Sequence, residues 1–171
     1  MKRAFAFGDK SIESAVRRVN EVRCVAVIGA GTMGQGIAID LLKKTDYELI
    51  LLDVQPEALA RAKARFDAMR AADVKESRLR EEDAQRAGAR VTFTQSYDDL
   101  ARADVVWEVA TEREEIKAKI FEAIERHVDR DRIAAIFSNT SSHTTGELAV
   151  HFKSEALREK FLTVHGYFPF E

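Results

Sequence analysis

Regularly spaced glycines follow a short apolar run near the start of the chain. Residues 25–38 read VAVIGAGTMGQGIA, in which Gly29, Gly31 and Gly34 fit the pattern G-x-G-x-x-G. In dinucleotide-binding proteins the first glycine permits a tight turn, the second lets a pyrophosphate approach the backbone, and the third lets helix and strand pack closely. The alternative is a loose turn without a ligand. A strand before the glycines and a helix after them favour the phosphate site.

Asp53 follows the second predicted strand, 19 residues after Gly34. A carboxylate at this place can accept hydrogen bonds from the hydroxyls of an adenine-linked ribose, and it would repel the additional phosphate of NADP. No arginine is present among Val54, Gln55 and Pro56. The pattern therefore predicts NAD as the cofactor. The alternative is that Asp53 only caps the next helix.

Further polar residues follow the later predicted strands. They are Glu108, Glu112 and Lys117 in WEVATEREEIK, the segment SNTSS at 138–142, and His165 in TVHGYFPF. A neutral imidazole at His165 could take a proton as hydride leaves a carbinol carbon, and His143 is a second candidate for the same role. The alternatives are helix capping for the acids, a hydrogen-bonded turn for the serines and packing for a single histidine.

Short apolar runs alternate with helical patterns, and together they predict how these residues are positioned. Strands are predicted at CVAVIG, ELILLDV, VTFTQS, DVVWEVA, IAAIFSNTS and FLTVHGYF. Helical patterns lie between them, including a long charged stretch at 57–87 that we interpret as two helices with a break near ADVKES. This alternation predicts an α/β fold, a doubly wound Rossmann-type domain with a mainly parallel sheet and a helical pair inserted after the second strand. Ligands of such a domain bind beyond the carboxyl ends of the strands.

Composition narrows the class of protein. The chain has 171 residues, 46% hydrophobic and 33% charged, with a formal net charge of -2 and one cysteine. We expect a globular domain without disulfides and in the cytoplasm, with no nucleic-acid partner, no membrane partner and no metal cluster. Cys24 is expected to be a small core residue. We assign residues 1–21 to an N-terminal extension, in which SIESAVRRVNEV resembles an amphipathic helix capped by Ser11, and residues 22–171 to the cofactor-binding domain.

Taken together, the quoted stretches resemble the N-terminal, NAD-binding domain of the 3-hydroxyacyl-CoA dehydrogenase family over roughly residues 22–169. The resemblance implies that His165 is the catalytic acid and base, that Ser141 lies near the substrate, and that the helical pair borders an acyl-CoA site. It also implies a set of cofactor-binding residues. These are Gly29, Gly31, Thr32, Met33, Gly34, Asp53, Glu112, Lys117 and Asn139.

The family also implies a reaction, hydride transfer between NAD and C3 of a 3-hydroxyacyl-CoA, an oxidoreductase step of fatty acid metabolism. Its members usually have asparagine at the position of Phe168 and an apolar residue at that of His143. A free 3-hydroxy acid is therefore an alternative substrate, and a non-catalytic NAD-binding module is a second alternative. The family's C-terminal helical domain is absent from these 171 residues. We expect the chain alone to bind NAD but to be nearly inactive, and the full-length protein to be a homodimer.

Overall fold

The computed structural model describes residues 21–166, which form a single six-stranded sheet. The strands are β1 (Cys24–Ile28), β2 (Glu48–Leu52), β3 (Val91–Thr94), β4 (Val105–Glu108), β5 (Ala135–Asn139) and β6 (Phe161–Val164). Their order in the sheet is β3-β2-β1-β4-β5-β6, and every neighbouring pair is parallel. The predicted doubly wound Rossmann-type fold is confirmed. The interpretations of Ser11 and Phe168 fall outside the described residues.

Helices connect the strands and cover the sheet. They are α1 (Thr32–Lys44), α2 (Pro56–Lys75), α3 (Glu81–Ala89), α4 (Glu114–His127), α5 (Thr145–Ala149) and α6 (Glu155–Arg158), with a 3-10 helix at Tyr97–Arg102. Two helices, α2 and α3, connect β2 to β3, and the chain between them covers residues 76–80. Within the described range, none of these helices combines the length and the apolar character needed to cross a membrane.

Two cores lie on opposite sides of the sheet, because successive residues of a strand point to opposite faces. Cys24, Ala26 and Ile28 of β1 contribute to the first core, together with side chains of α4, α5 and α6. Val25 and Val27 contribute to the second core, together with α1 and α2. Burial raises the pKa of the Cys24 thiol to about 11, so the thiol stays protonated and is a core residue, as predicted.

A group of phenylalanines anchors the last strand, β6, which carries the chain to His165. Phe161 of β6 lies with its ring centroid 5.3 Å from that of Phe121 and 5.3 Å from that of Phe152, and all three side chains are buried. Such edge-to-face and tilted contacts add to the gain from burying the rings. The start of β6 is therefore held against α4 before the chain reaches the carboxyl edge of the sheet.

Candidate functional site

The glycine loop between β1 and α1 is built without room for side chains at two of its positions. Gly29 has φ +109°, and a Cβ there would lie 2.7 Å from the backbone Cα of Ala110. A Cβ at Gly34 would overlap the carbonyl oxygen of Gly29. At Gly31, by contrast, an added Cβ would meet no atom within 4 Å. The loop is thus closed on its protein side and open beside Gly31, where a bound group can approach the backbone.

The amino end of α1 starts at this open position. Gly31 is the N-cap and supplies no capping side chain, and the first turn contains no acidic residue. Thr32 is exposed and Met33 is partly exposed. The first amides of a helix carry a partial positive charge and need acceptors. An uncapped start with open space in front of it therefore fits the phosphate groups of a dinucleotide.

Asp53 holds the glycine loop against the end of β2. Its Oδ2 accepts a hydrogen bond from the Ala30 amide at 2.7 Å, and its Oδ1 accepts one from the Gln55 amide at 2.9 Å. The N-cap of α2 is Gln55, so Asp53 is not the capping residue of that helix. A carboxylate oxygen can accept more than one hydrogen bond. The predicted contact of Asp53 with a ribose is compatible with this geometry and stays a prediction.

A cavity of about 510 Å³ opens between the ends of β1, β2 and β4. Gly29 and Asp53 lie on its wall, as the glycine motif predicts. The sequence analysis did not identify Tyr97, Ile116 or Lys119, which also line the cavity. A partial signal was present for Ile116, which begins a stripe of isoleucines at four-residue steps but is 36% exposed, whereas later members of the stripe are buried.

Beneath the carboxyl edge of the sheet lies a buried ion pair. Lys117 Nζ is 2.6 Å from Glu108 Oε2, and neither side chain is exposed. Ser138 Oγ donates to the same carboxylate oxygen at 2.5 Å, and Lys117 also donates to Ser138 Oγ at 3.0 Å. The other oxygen, Glu108 Oε1, accepts the amide of Ala110 at 2.8 Å. The pair therefore joins β4, β5 and α4 to the backbone that packs on Gly29.

The predicted role of Lys117 in cofactor binding stays a prediction. Its ammonium group is directed at Glu108 and Ser138, with the carbonyl oxygen of Asn139 at 3.4 Å. All of these partners are protein groups, and the lysine side chain is fully buried. In the described structure Lys117 is thus a support for the site from below.

Glu112 holds the SNTSS segment after β5. Its carboxylate accepts hydrogen bonds from Thr140 Oγ at 2.7 Å, from the Ser141 amide at 3.0 Å and from Ser142 Oγ at 3.3 Å. Burial alone would raise the pKa of Glu112, but the hydrogen bonds from Thr140 and Ser141 outweigh it, so the pKa is lowered. The carboxylate is therefore charged at neutral pH and orders the loop on which Ser141 lies.

His165 follows β6 and is exposed at the same edge of the sheet. The segment around it is tied to the SNTSS segment by two bonds: Gly166 donates its amide to Asn139 Oδ1 at 2.8 Å, and Thr140 donates its amide to the Val164 carbonyl at 3.1 Å. His143 lies on the other side of that segment, with Nε2 3.3 Å from the Glu112 carbonyl oxygen. The structure thus brings Glu112, the SNTSS segment and the His165 segment together.

Comparison with known proteins agrees with this arrangement. Residues 24–171 match the family model described as 3-hydroxyacyl-CoA dehydrogenase, NAD binding domain. The chain is 33% identical over 144 residues to a 3-hydroxybutyryl-CoA dehydrogenase of Bradyrhizobium diazoefficiens, covering 84% of the chain and 47% of that relative. It is 33% identical over 133 residues to a 3-hydroxyadipyl-CoA dehydrogenase of Escherichia coli K12, covering 78% of the chain and 27% of that relative.

A solved structure shows the same fold. The crystal structure of 3-hydroxybutyryl-CoA dehydrogenase from Escherichia coli K12 superposes with a TM-score of 0.76 at 32% sequence identity, covering 86% of this chain and 30% of that one. The chain thus spans less than half the length of each of these relatives. The part that it shares with them is the part that contains the glycine loop and the SNTSS segment.

Replacing Gly34 by alanine tests the close contact between the loop and α1. Because the new methyl group would overlap the Gly29 carbonyl, we expect Gly34→Ala to lower the free energy of unfolding by roughly 1–3 kcal/mol. Gly146→Ala is the matched control, since a Cβ at Gly146 meets nothing within 4 Å and alanine is a better helix former. Thermal unfolding of both variants measures the difference, and equal stability of the two would contradict the close contact.

Removing one partner of the buried ion pair tests its role as a support. In Lys117→Met the Glu108 carboxylate stays buried without its cation, so we expect a loss of about 3–5 kcal/mol in denaturant unfolding. Lys63→Met is the control, because Lys63 pairs with Asp67 on the exposed surface of α2 and should contribute less than about 1 kcal/mol. Adding Glu108→Gln to Lys117→Met should recover part of the loss. If neither the excess loss nor the recovery is observed, the pair is not a support.

Proposed function

The chain belongs to the 3-hydroxyacyl-CoA dehydrogenase family through its NAD-binding domain, and on that premise we propose that it forms the cofactor-binding half of an enzyme that interconverts 3-hydroxyacyl-CoA and 3-oxoacyl-CoA. The observation that carries the proposal is the pairing of two features at one edge of the sheet. One is the glycine loop, open beside Gly31. The other is the SNTSS segment, tied to Glu112 and to the segment that contains His165.

NAD, when bound, supplies the hydride acceptor of the oxidation and the hydride donor of the reduction. Within the chain, the backbone of Gly31, Thr32 and Met33 would hold its phosphates, since this helix start has no side-chain cap. Asp53 would accept a ribose hydroxyl while keeping the Ala30 amide. Glu112, Lys117 and Asn139 are proposed to complete the cofactor site, on the basis of the family resemblance.

His165 is proposed to move the proton of the reaction. A neutral imidazole at this exposed position takes the proton of the 3-hydroxyl group during oxidation and returns it during reduction. Asn139 keeps the histidine segment at the sheet edge through its bond to the Gly166 amide. Ser141 lies on the loop ordered by Glu112, where its hydroxyl would bind the substrate oxygen.

The substrate class is proposed from the relatives, whose names specify 3-hydroxybutyryl-CoA and 3-hydroxyadipyl-CoA. The second candidate is a free 3-hydroxy acid, and His143 is the observation that favours it. This partly exposed imidazole lies beside the Glu112 backbone at the edge of the SNTSS segment, and it offers a polar group to a small charged substrate. A full-length protein, with a helical domain after residues 22–171, is proposed to act as a homodimer.

Cofactor binding is tested by titrating the chain with NADH and with NADPH. We expect clearly tighter binding of NADH, because the charge of Asp53 opposes a phosphate on the ribose. In Gly31→Ala the added methyl group meets no protein atom but occupies the space kept for the phosphates, so NADH binding should be lost while the fold is kept. Gly146→Ala should bind as the unaltered chain does. Equal affinity for NADPH would remove the role proposed for Asp53, and full NADH binding by Gly31→Ala would remove the phosphate site.

The proton-transfer role is tested in the full-length protein with 3-hydroxybutyryl-CoA and free 3-hydroxybutyrate as substrates. His165→Gln should lower kcat by about 10²–10⁴-fold, the usual contribution of a general acid or base, with a smaller change in KM. His127→Gln is the control, because His127 ends α4 and pairs with Asp98 away from the site. An unchanged kcat in His165→Gln, together with a large loss in His143→Gln, would assign the base to His143. Turnover of the free acid alone would select the second substrate class.

A further inference from the structure

One side of the sheet is covered unevenly. Because paired residues of neighbouring parallel strands point to the same side, the register forms a row across five strands. The row runs Leu51, Val27, Trp107, Phe137, Leu162. Its first two members are fully buried in the second core beneath α1 and α2, whereas Trp107 and Phe137 are partly exposed and Leu162 is 53% exposed.

The exposed part of this row belongs to a continuous apolar surface, which we call the open face and define by Val105, Trp107, Phe137 and Leu162. Phe137 and Leu162 belong to neither of the two cores found among residues 21–166. The rings of Trp107 and Phe137 lie 5.8 Å apart, so the surface begins with two stacked aromatic side chains. Contiguous apolar surface of this kind marks a place where another element packs.

Trp107 adds a polar observation on the same face. Its Nε1 is buried and has no hydrogen-bond partner within the described part of the chain. Buried indole N–H groups usually find an acceptor. An element that covers the open face and brings a carbonyl or hydroxyl oxygen would satisfy this donor.

The chain itself contains a segment suited to this face. Twenty residues precede Glu21, which has a helical backbone, and the next residue, Val22, is buried in the second core, on the side of the sheet to which the open face belongs. Apolar residues recur upstream at Ile12, Ala15, Val16 and Val19, the i, i+3, i+4, i+7 spacing of one helix face.

The reach and the length of this segment also fit. Val22 leads directly into β1, and β1 pairs with β4, which contains Trp107. A helix over residues 11–21 would be about 16 Å long. The strands of the open face, with four or five residues each, are about 13–17 Å long. A helix that returns along β4 and β5 would therefore match the face without a long connection.

We propose that residues 11–20 dock on the open face as an amphipathic helix, with the side chains of Ile12, Ala15, Val16 and Val19 packed on Trp107, Phe137 and Leu162. The second side of the sheet then receives a helix over β4–β6, as α1 and α2 cover β1 and β2. The polar side of the segment, which includes Ser14 and Arg17, faces solvent. The occupant is a segment of the same chain, so the contact is independent of protein concentration.

Trp107 reports on the contact, because it is the only tryptophan of the chain. Val16→Asp places a charge within the apolar stripe and should release the segment. We expect the Trp107 emission to shift to longer wavelength and its quenching by acrylamide to increase roughly twofold, since the indole becomes hydrated. Ser14→Asp is the matched control, because it introduces the same charge on the opposite side of the helix and should leave both readings unchanged. NADH binding and far-ultraviolet circular dichroism verify that both variants keep the fold.

Two results would overturn the proposal. The first is a Trp107 emission and quenching that are the same in Val16→Asp and in the unaltered chain. The second is a Trp107 signal that follows protein concentration together with a dimer mass in light scattering, in which case a second copy of the chain covers the face. A Val16→Asp effect that is constant over a wide range of concentration, in a protein of monomer mass, supports docking within the chain.

Discussion

The candidate site is organised around the buried ion pair of Glu108 and Lys117. Removing both charges from water is costly, and the cost is offset only when each group has its full set of hydrogen-bond partners. Those partners are Ser138 on β5 and the amide of Ala110 after β4, so the pair restricts where these elements can lie. Ala110 in turn packs against Gly29. A slip of β5 or a shift of α4 would break the pair, and the floor of the glycine loop would move with it.

Two other carboxylates extend the same logic to the surface. Asp53 accepts backbone amides from both sides of its strand end, and Glu112 accepts an amide and two hydroxyl groups from the SNTSS segment. Acids at the carboxyl edge of the sheet thus order the loops first, and each keeps further acceptor capacity for a ligand. The arrangement is already set when a cofactor arrives, so little binding energy is lost in ordering the loops.

The sequence predicted the fold and the glycine loop because their constraints are local. A strand, a turn that needs φ > 0 and a helix start follow one another within about a dozen residues, and each has its own residue preferences. The alternation of strands and helices also predicted a doubly wound sheet. The edge set of Glu112, Asn139 and His165 was predicted to lie together for the same reason, since the ends of parallel strands share one edge.

The remaining features depend on contacts between distant parts of the chain. Lys117 was assigned to the cofactor site, and nothing in its spacing indicates that its side chain is fully buried, because Ser138 is its partner only through the pairing of β4 with β5. Ile116 and Lys119 line the cavity because of the angle at which α4 leaves the sheet edge, which no periodicity contains. The uneven cover of the row through Trp107 likewise follows from which helices are present on each side.

The bond between Asn139 and Gly166 has a consequence for how this site can diversify. Asn139 contacts only the backbone amide of Gly166, so the side chain at position 166 takes no part in holding the histidine segment. Natural variation at this position is therefore tolerated as far as the bond is concerned, and proline is the exception because it has no N–H. Evolution can exchange the residue next to His165 to suit a new substrate while the geometry of the histidine is inherited unchanged.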